Sequence, residues 1–213
     1  MKLYAVADLH GRKDRIDAVC DMARQTTPDL IICAGDLMGF EKTDYPLLSL
    51  SRLNLPVYFI RGNSDGGKTG SILKRFPNIT PLHLSVTYKN NMKITGVDGT
   101  FILPFHSRLA LNEKKIHEAL LNFIQKDMLF VGHPPPMGVL DMVLGKIHSG
   151  SRCIRDIIEQ KQPRIYICGH IHDTPGIEML ANTLVVNCSM GKKGKGALIE
   201  IPDNGKAVAS LLN

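Results

Sequence analysis

The chain has 213 residues, of which 44% are hydrophobic and 22% charged, and it carries 19 glycines and 12 prolines. This composition excludes collagen-like and disordered chains and is typical of a globular protein. Lysine and arginine outnumber the acidic residues by 26 to 20, and the net charge of +6 suits either an anionic ligand or a solvated basic surface.

The sequence lacks the apolar segments that would direct it to a membrane. Every apolar run is shorter than the ~20 residues that span a bilayer, and Asp8 comes too early for the apolar stretch of a signal peptide. The five cysteines are odd in number and widely spaced, so we expect buried thiols in a reducing compartment rather than disulfides. These features predict a cytoplasmic protein without membrane contact.

Apolar runs alternate with amphipathic stretches from the first residue to about residue 170. The pattern predicts strands over 2–7, 30–34 and 56–60, and helices over 12–25, 46–53 and 71–76. Such alternation predicts a layered α/β domain with parallel strands inside it.

The chain after residue 80 mixes hairpin, helix and strand patterns. Segments 82–88 and 92–97 flank the turn-forming Asn90 and Asn91 and predict an antiparallel hairpin. The later pattern predicts helices over 113–126 and 152–160, and strands over 128–131, 165–168, 177–180, 183–187, 197–201 and 207–211. Because no linker or internal repeat interrupts these elements, we predict a single domain over residues 1–213.

Polar residues follow five of the predicted strands at the point where each strand ends. They are Asp8 and His10, then Asp36, Asn63 and His133, and finally His170 and His172. Since the carboxyl ends of strands in an α/β sheet share one rim, we expect these side chains to meet there.

This set of side chains is typical of a metal site. Carboxylate, imidazole and amide groups bind first-row ions such as manganese, iron and zinc. Seven ligands exceed the need of one tetrahedral ion, whereas two ions with four ligands each use all seven if one carboxylate is shared. One Gly-His or Gly-Asp turn alone is weak support, but five together predict a dinuclear site. His170 and His172 add to it, because alternate residues of an extended segment face the same side.

These motifs resemble those of the calcineurin-like metallophosphoesterase superfamily. The matching series is Asp8-x-His10, Gly35-Asp36, Gly62-Asn63, Gly132-His133 and Gly169-His170-x-His172. Segments 132–141 and 167–172 further resemble a small phosphodiesterase branch related to the brain 239 protein. The resemblance implies a four-layer αββα sandwich of two mixed β-sheets flanked by helices. The predicted strands are compatible with that fold when those after residue 176 are counted in the second sheet.

The resemblance also implies a ligand set and a reaction. Asp8, His10 and His172 would bind one divalent ion, Asn63, His133 and His170 the other, and Asp36 would bridge them. Manganese is the expected metal, with iron, zinc, cobalt or nickel as alternatives. A hydroxide shared by the two ions would hydrolyse a small phosphodiester, with nucleotide derivatives among the candidate substrates, and Asp36 and Asn63 would act as catalytic ligands.

One position departs from the family's pattern. The third family motif continues as Gly-Asn-His, whose histidine is thought to protonate the leaving oxygen, but this chain has Ser64 there. A hydroxyl cannot act as a titrating acid near neutral pH. Three explanations stay open: a good leaving group, another proton donor, or lost catalysis. We identify His148, in the polar loop 146–151, as the candidate donor.

Two alternative functions remain open. The basic charge and the lysine-rich turn 191–196 suit a nuclease, whereas the 6% aromatic content without tryptophan offers little for base stacking. A metal-binding scaffold without activity is favoured by Ser64 and opposed by the complete ligand set. Arg61, Arg108 and Arg152 are further candidates to contact a substrate phosphate.

Overall fold

The computed structural model describes residues 1–39, 44–66, 75–99, 113–191 and 194–212. Within these ranges the chain forms fourteen strands and four helices. The strands are β1 (Lys2–Val6), β2 (Leu30–Ala34), β3 (Val57–Ile60), β4 (Ile79–Pro81), β5 (Val86–Lys89), β6 (Met92–Val97), β7 (Leu129–Gly132), β8 (Met142–Val143), β9 (Ile147–His148), β10 (Ile165–Cys168), β11 (Gly176–Leu180), β12 (Thr183–Asn187), β13 (Ala197–Glu200) and β14 (Val208–Leu211). The helices are α1 (Lys13–Thr26), α2 (Tyr45–Ser51), α3 (Glu113–Phe123) and α4 (Arg152–Lys161).

Twelve of these strands form two six-stranded mixed sheets. The first has the order β14-β13-β1-β2-β3-β4, and the second has the order β11-β12-β10-β7-β6-β5. In the first sheet β1 to β4 are parallel, and β13 and β14 continue it in antiparallel pairing. In the second, β12, β10, β7 and β6 are parallel between antiparallel edge strands β11 and β5.

Alternating side chains of the central strands build two separate apolar layers. Strand β2 is buried at every residue, as expected for a parallel strand covered on both faces. Leu30 and Ile32 pack between the two sheets, whereas Ile31 and Cys33 pack in the cluster that includes Ile16 of α1. The period of two along a strand therefore directs one apolar set inward and the other toward the helices.

Helices α3 and α4 cover the outer face of the second sheet. Leu120 of α3 and Ile154 of α4 pack with Phe130 of β7 and Tyr166 of β10. Ser151 caps α4, because its side chain accepts a hydrogen bond from the backbone of Ile154 at 3.1 Å. The resulting order of helices, sheet, sheet and helices confirms the predicted four-layer αββα sandwich.

Some sequence predictions differ from the structure. The strands at 197–201 and 207–211 join the first sheet, not the second, because β13 pairs with β1, with Leu3 opposite Ile199. An alternating apolar pattern indicates a strand without naming its partner. Strands β4, β8 and β9 were not predicted, since each is only two or three residues long. Most of the predicted helix 71–76 lies outside the described residues.

The predicted hairpin and the predicted buried thiols are both present in the structure. The hairpin of β5 and β6 turns at Asn90 and Asn91, whose φ angles of 46° and 61° match the positive φ of a type I′ turn. All five cysteines are free and buried. Among the described helices, none combines the length and apolar character needed to cross a membrane.

The packing between the sheets predicts a large difference between two truncations. Ile32→Ala removes a side chain that is fully buried in the central layer, and we expect a loss of about 2–5 kcal/mol in the free energy of unfolding. Val208→Ala changes a side chain that is 66% exposed on an edge strand, and should cost less than about 1 kcal/mol. Urea unfolding of the metal-free proteins measures both. Equal small losses would contradict the layered core.

Candidate metal centre

The strand ends bring the predicted ligands to one rim shared by the two sheets. Ligand atoms in two groups lie within 4.8 Å of one another: Asp8, His10 and His172 form one group, and Asp8, Asp36 and His133 form the other. Because Asp8 belongs to both groups, the two sets are contiguous.

The two remaining predicted ligands lie beside the second group. The Oδ1 atom of Asn63 is 3.0 Å from Nε2 of His133. The ring of His170 packs edge-on against that of His133, with 4.9 Å between the centroids. The structure therefore brings all seven predicted side chains to one place.

Four of the seven residues have a left-handed backbone conformation that is unusual outside glycine. Their φ angles are 63° at Asp8, 51° at His10, 52° at Asp36 and 68° at His170. Each such residue costs on the order of 1–3 kcal/mol and persists only where the surroundings hold it. Here the backbone N–H groups of Asp8 and His10 donate to the carbonyls of Gly35 and Asp36, at 3.1 and 2.8 Å. The turns after β1 and β2 thus hold each other in place.

The Asp8 carboxylate is fully buried and only partly satisfied. Its Oδ2 accepts a hydrogen bond from the backbone of His170 at 2.9 Å. Its Oδ1 lies 3.3 Å from Nε2 of His172 but has no hydrogen-bond partner among the described residues. A buried carboxylate oxygen without a donor is costly, and a bound cation would remove that cost. The residues present therefore fit a metal ion.

One ring nitrogen of His133 is held as a hydrogen-bond donor, which leaves Nε2 as the atom that could bind a metal ion. Its Nδ1 lies 2.8 Å from the carbonyl oxygen of Ala34, which can only accept, so Nδ1 donates. That bond crosses from the second sheet to the end of β2 in the first. It directs Nε2 toward Asp36, whose Oδ2 is 3.5 Å away. Metal-binding histidines commonly have such a partner on the other ring nitrogen.

The loop after β3 orients Asp36. The backbone of Ser64 donates to Oδ1 at 2.7 Å, and its hydroxyl donates to Oδ2. At Gly62 a Cβ atom would collide with the Asp36 carboxylate, so only glycine fits there. The serine that replaces the expected histidine is therefore a buried partner of Asp36.

Asp65 holds the same loop through hydrogen bonds to its carboxylate. Its two carboxylate oxygens accept from the backbones of Met38 and Gly62, both at 2.8 Å. Burial and the nearby Asp36 raise its pKa to about 6. The role of Asp65 was not predicted from the sequence, where its place two residues after Asn63 was the available signal.

The charged groups of the site shift one another's pKa values. Burial favours neutral Asp36, but His133 and the hydrogen bonds from Ser64 outweigh it and hold the pKa of Asp36 well below its ordinary value. Burial likewise opposes protonation of His133, yet Asp36 and Asp8 raise its pKa to about 9. Burial and the charge of His133 lower the pKa of His170 to about 4. The cluster thus combines ionised carboxylates with imidazoles of opposite protonation tendency.

Two further residues support the ligand-bearing turns. The side-chain amide of Asn187 donates to the carbonyls of Ile171 and Thr174, at 2.9 and 3.0 Å, on either side of His172. The guanidinium of Arg15 donates to the carbonyls of Asp8 and Gly191. The role of Arg15 could not be predicted, because an arginine on an amphipathic helix carries no sequence signal of such a contact.

The remaining predicted candidates in the described part of the chain have partners other than the seven proposed ligands. His148 is on β9, where its Nδ1 is 2.6 Å from Oδ1 of Asp141. Arg61 pairs with Asp98, with 2.7 Å from Nε to Oδ2. Arg152 contacts the sulfur of Met137. Arg108, Lys192 and Lys193 lie outside the described residues.

Comparison with known proteins begins with sequence. Residues 1–174, which include all seven predicted ligands, match the family described as Calcineurin-like phosphoesterase. Protein MJ1162 of Methanocaldococcus jannaschii is 31% identical over 199 residues, covering 89% of this chain and 88% of that protein. UPF0046 protein K07C11.7 of Caenorhabditis elegans is 29% identical over 120 residues, covering 52% of this chain and 40% of that protein.

Solved structures share the fold at low sequence identity. TT1561 of Thermus thermophilus has a TM-score of 0.75 at 18% identity, covering 100% of this chain and 99% of that one. A dimetal phosphatase from Danio rerio has a TM-score of 0.63 at 10% identity, with the same coverage. An archaeal phosphodiesterase has 0.58 at 13%, covering both chains fully. The family match over most of the sequence shows that this chain belongs to the calcineurin-like phosphoesterases, a family of metal-dependent hydrolases.

Proposed function

We propose that this protein is a dinuclear metal-dependent phosphodiesterase acting on small phosphodiesters, with nucleotide derivatives among the candidate substrates. The observation that carries the proposal is the position of Asp36 between two histidines. Its Oδ2 is 3.7 Å from Nδ1 of His10 and 3.5 Å from Nε2 of His133. A carboxylate in this place can bridge two ions.

The proposed ligands divide around that carboxylate. Asp8, His10 and His172 would hold one ion, Asn63, His133 and His170 the other, and Asp36 both. The unpartnered Oδ1 of Asp8 supports the first site. The contact of Asn63 with His133 supports the second.

Within this proposal the protein's own residues hold the metal ligands in place. Two bound divalent ions supply Lewis acidity and a water of lowered pKa near neutral pH. Ser64 and Ala34 hold Asp36 and His133 by hydrogen bonds, so these ligands need little reorganisation on binding. Asp36 and Asn63 are thus the proposed catalytic ligands, one bridging and one completing the second set.

Charge favours a diester over a monoester. Among the described residues, the ion pairs of Asp8 and Asp36 are with histidines alone, so bound metals would supply most of the positive charge facing a phosphate. A singly charged diester needs less positive charge from the site than a doubly charged monoester does. The archaeal phosphodiesterase of the same fold is in keeping with this choice. The dimetal phosphatase from Danio rerio also shares the fold, so a monoester is the substrate to test for comparison.

Three further parts of the proposal concern the metal, the domain and the cellular location. Manganese is the proposed metal, since mixed oxygen and imidazole ligands suit it, with iron, zinc, cobalt or nickel as alternatives. The 213 residues are proposed to act as one metallophosphoesterase domain. A cytoplasmic location is proposed on the five free thiols.

The alternatives are a nuclease and an inactive metal-binding scaffold. The case for a scaffold is Ser64, yet its hydroxyl donates to Asp36 and so supports the proposed bridging ligand. The case for a nuclease is the net charge of +6. We therefore treat both as outcomes of the following assay.

Metal reconstitution tests the proposed activity. After chelation and dialysis, the protein should bind two Mn²⁺ per chain and then hydrolyse bis(4-nitrophenyl) phosphate faster than 4-nitrophenyl phosphate, because the diester carries less charge. Metal analysis and absorbance assays measure both. Two bound ions without turnover would favour the scaffold, and preferential cleavage of single-stranded DNA would favour the nuclease.

Removing the Ser64 hydroxyl should weaken metal binding. Ser64→Ala deletes a hydrogen bond to the proposed bridging carboxylate, and we expect about 10–100-fold lower Mn²⁺ affinity by titration calorimetry. Ser85→Ala is the matched control, because its hydroxyl contacts only the carbonyl of Pro81 in the described structure. Unchanged affinity in Ser64→Ala would contradict the role given to Ser64.

A further inference from the structure

A buried carboxylate and a half-exposed imidazole form a pair on the β8–β9 hairpin. The Asp141 side chain is 1% exposed, whereas that of His148 is 54% exposed. The Oδ2 of Asp141 accepts from the backbones of Gly138 and Gly150, at 2.9 and 3.0 Å. Its Oδ1 lies 2.6 Å from Nδ1 of His148. The loop around the hairpin thus wraps the carboxylate and presents only its second oxygen to the histidine.

This contact decides how the imidazole is oriented. An ionised carboxylate only accepts hydrogen bonds, so Nδ1 of His148 is the donor. The other ring nitrogen, Nε2, is then the one available for proton transfer. A carboxylate that fixes the ring while the second nitrogen serves the reacting group is a known arrangement for acid–base catalysis.

The hairpin is anchored to segments that carry proposed metal ligands. Its loop leaves the second sheet directly after His133. At its tip, the backbone of Leu144 donates to Asp173 at 3.0 Å, and at its base the hydroxyl of Thr174 donates to the carbonyl of Leu140 at 2.8 Å. Asp173 and Thr174 directly follow His172. The hairpin that carries His148 is therefore tied at its tip and its base to the residues that follow the proposed ligand His172.

The proposed reaction lacks a proton donor at the position of Ser64. That side chain is 7% exposed and its hydroxyl is used by Asp36. The leaving oxygen of an alkyl or aryl phosphoester develops negative charge, and a positioned acid lowers the barrier. Histidine is the side chain whose ordinary pKa suits that task near neutrality.

We propose that His148 is the general acid of this enzyme and that Asp141 is its positioning residue. The inference rests on the proposed function. Water adds to phosphorus and releases one proton to solvent, the bond from phosphorus to the leaving oxygen breaks, and the electron pair of that bond stays on the leaving oxygen. The oxygen takes the Nε2 proton of protonated His148, which becomes neutral and regains a proton from solvent. The products are a phosphomonoester and an alcohol.

Substrates that differ only in their leaving group test this step. Nitrophenolate leaves without help, whereas phenolate is more basic and needs a proton. In the manganese-loaded protein, His148→Ala should lower kcat on diphenyl phosphate by about 10²–10⁴-fold and on bis(4-nitrophenyl) phosphate by less than about tenfold. Asp141→Asn should show the same inequality, because a misplaced ring also fails only where the proton is needed.

Controls separate this role from a structural one. Ile147→Ala changes an exposed side chain of the same strand and should leave the ratio of the two rates unchanged. Metal content and thermal unfolding identify variants that have lost the fold, and added imidazole should restore diphenyl phosphate hydrolysis to His148→Ala. Equal losses on both substrates, or no loss on either, would overturn the proposal. An unmodified protein inactive on both substrates would instead refute the proposed function, and this inference with it.

Discussion

Two carboxylates buried at the ends of neighbouring parallel strands determine most of what surrounds them. Asp8 and Asp36 are 0% and 2% exposed. Charge buried in this way must be compensated, and in the described structure the compensation comes from histidines, from backbone amides and from Ser64. One oxygen of Asp8 remains without a hydrogen bond. Bound cations would complete the balance, which is why the proposed metals follow from the burial itself.

The fold supplies this burial through its two-sheet construction. The register of β1 on β2, with Val6 opposite Cys33, brings the turns after both strands to the same level. The second sheet then adds histidines from across the central layer, and the bond from His133 to Ala34 joins the two sheets at the site. Left-handed turns at Asp8 and Asp36 are held by the hydrogen bonds around them. The surrounding structure therefore maintains a strained backbone conformation that the four ligand residues with positive φ would not adopt alone.

Much of this arrangement could be predicted from the sequence, because two general rules of β-structure apply to it. Apolar alternation locates the central strands, and the rule that parallel strand ends of one sheet share a rim places Asp8 and Asp36 together. The partner of β13 could not be predicted, since the same alternation suits either sheet. Nor could the pairing of Asp141 with His148, which depends on how a loop of irregular sequence closes. The role of Ser64 could not be predicted either, because a residue that departs from a family's pattern gives no indication of its contacts.

We propose that Asp36 joins two metal ions at the rim of the sheets. Crystals grown with Mn²⁺ and measured at the manganese absorption edge test this proposal directly. We expect two anomalous peaks per chain, one beside Asp8, His10 and His172 and the other beside Asn63, His133 and His170, with Asp36 in contact with both. A single peak, or a pair that does not share Asp36, would contradict it.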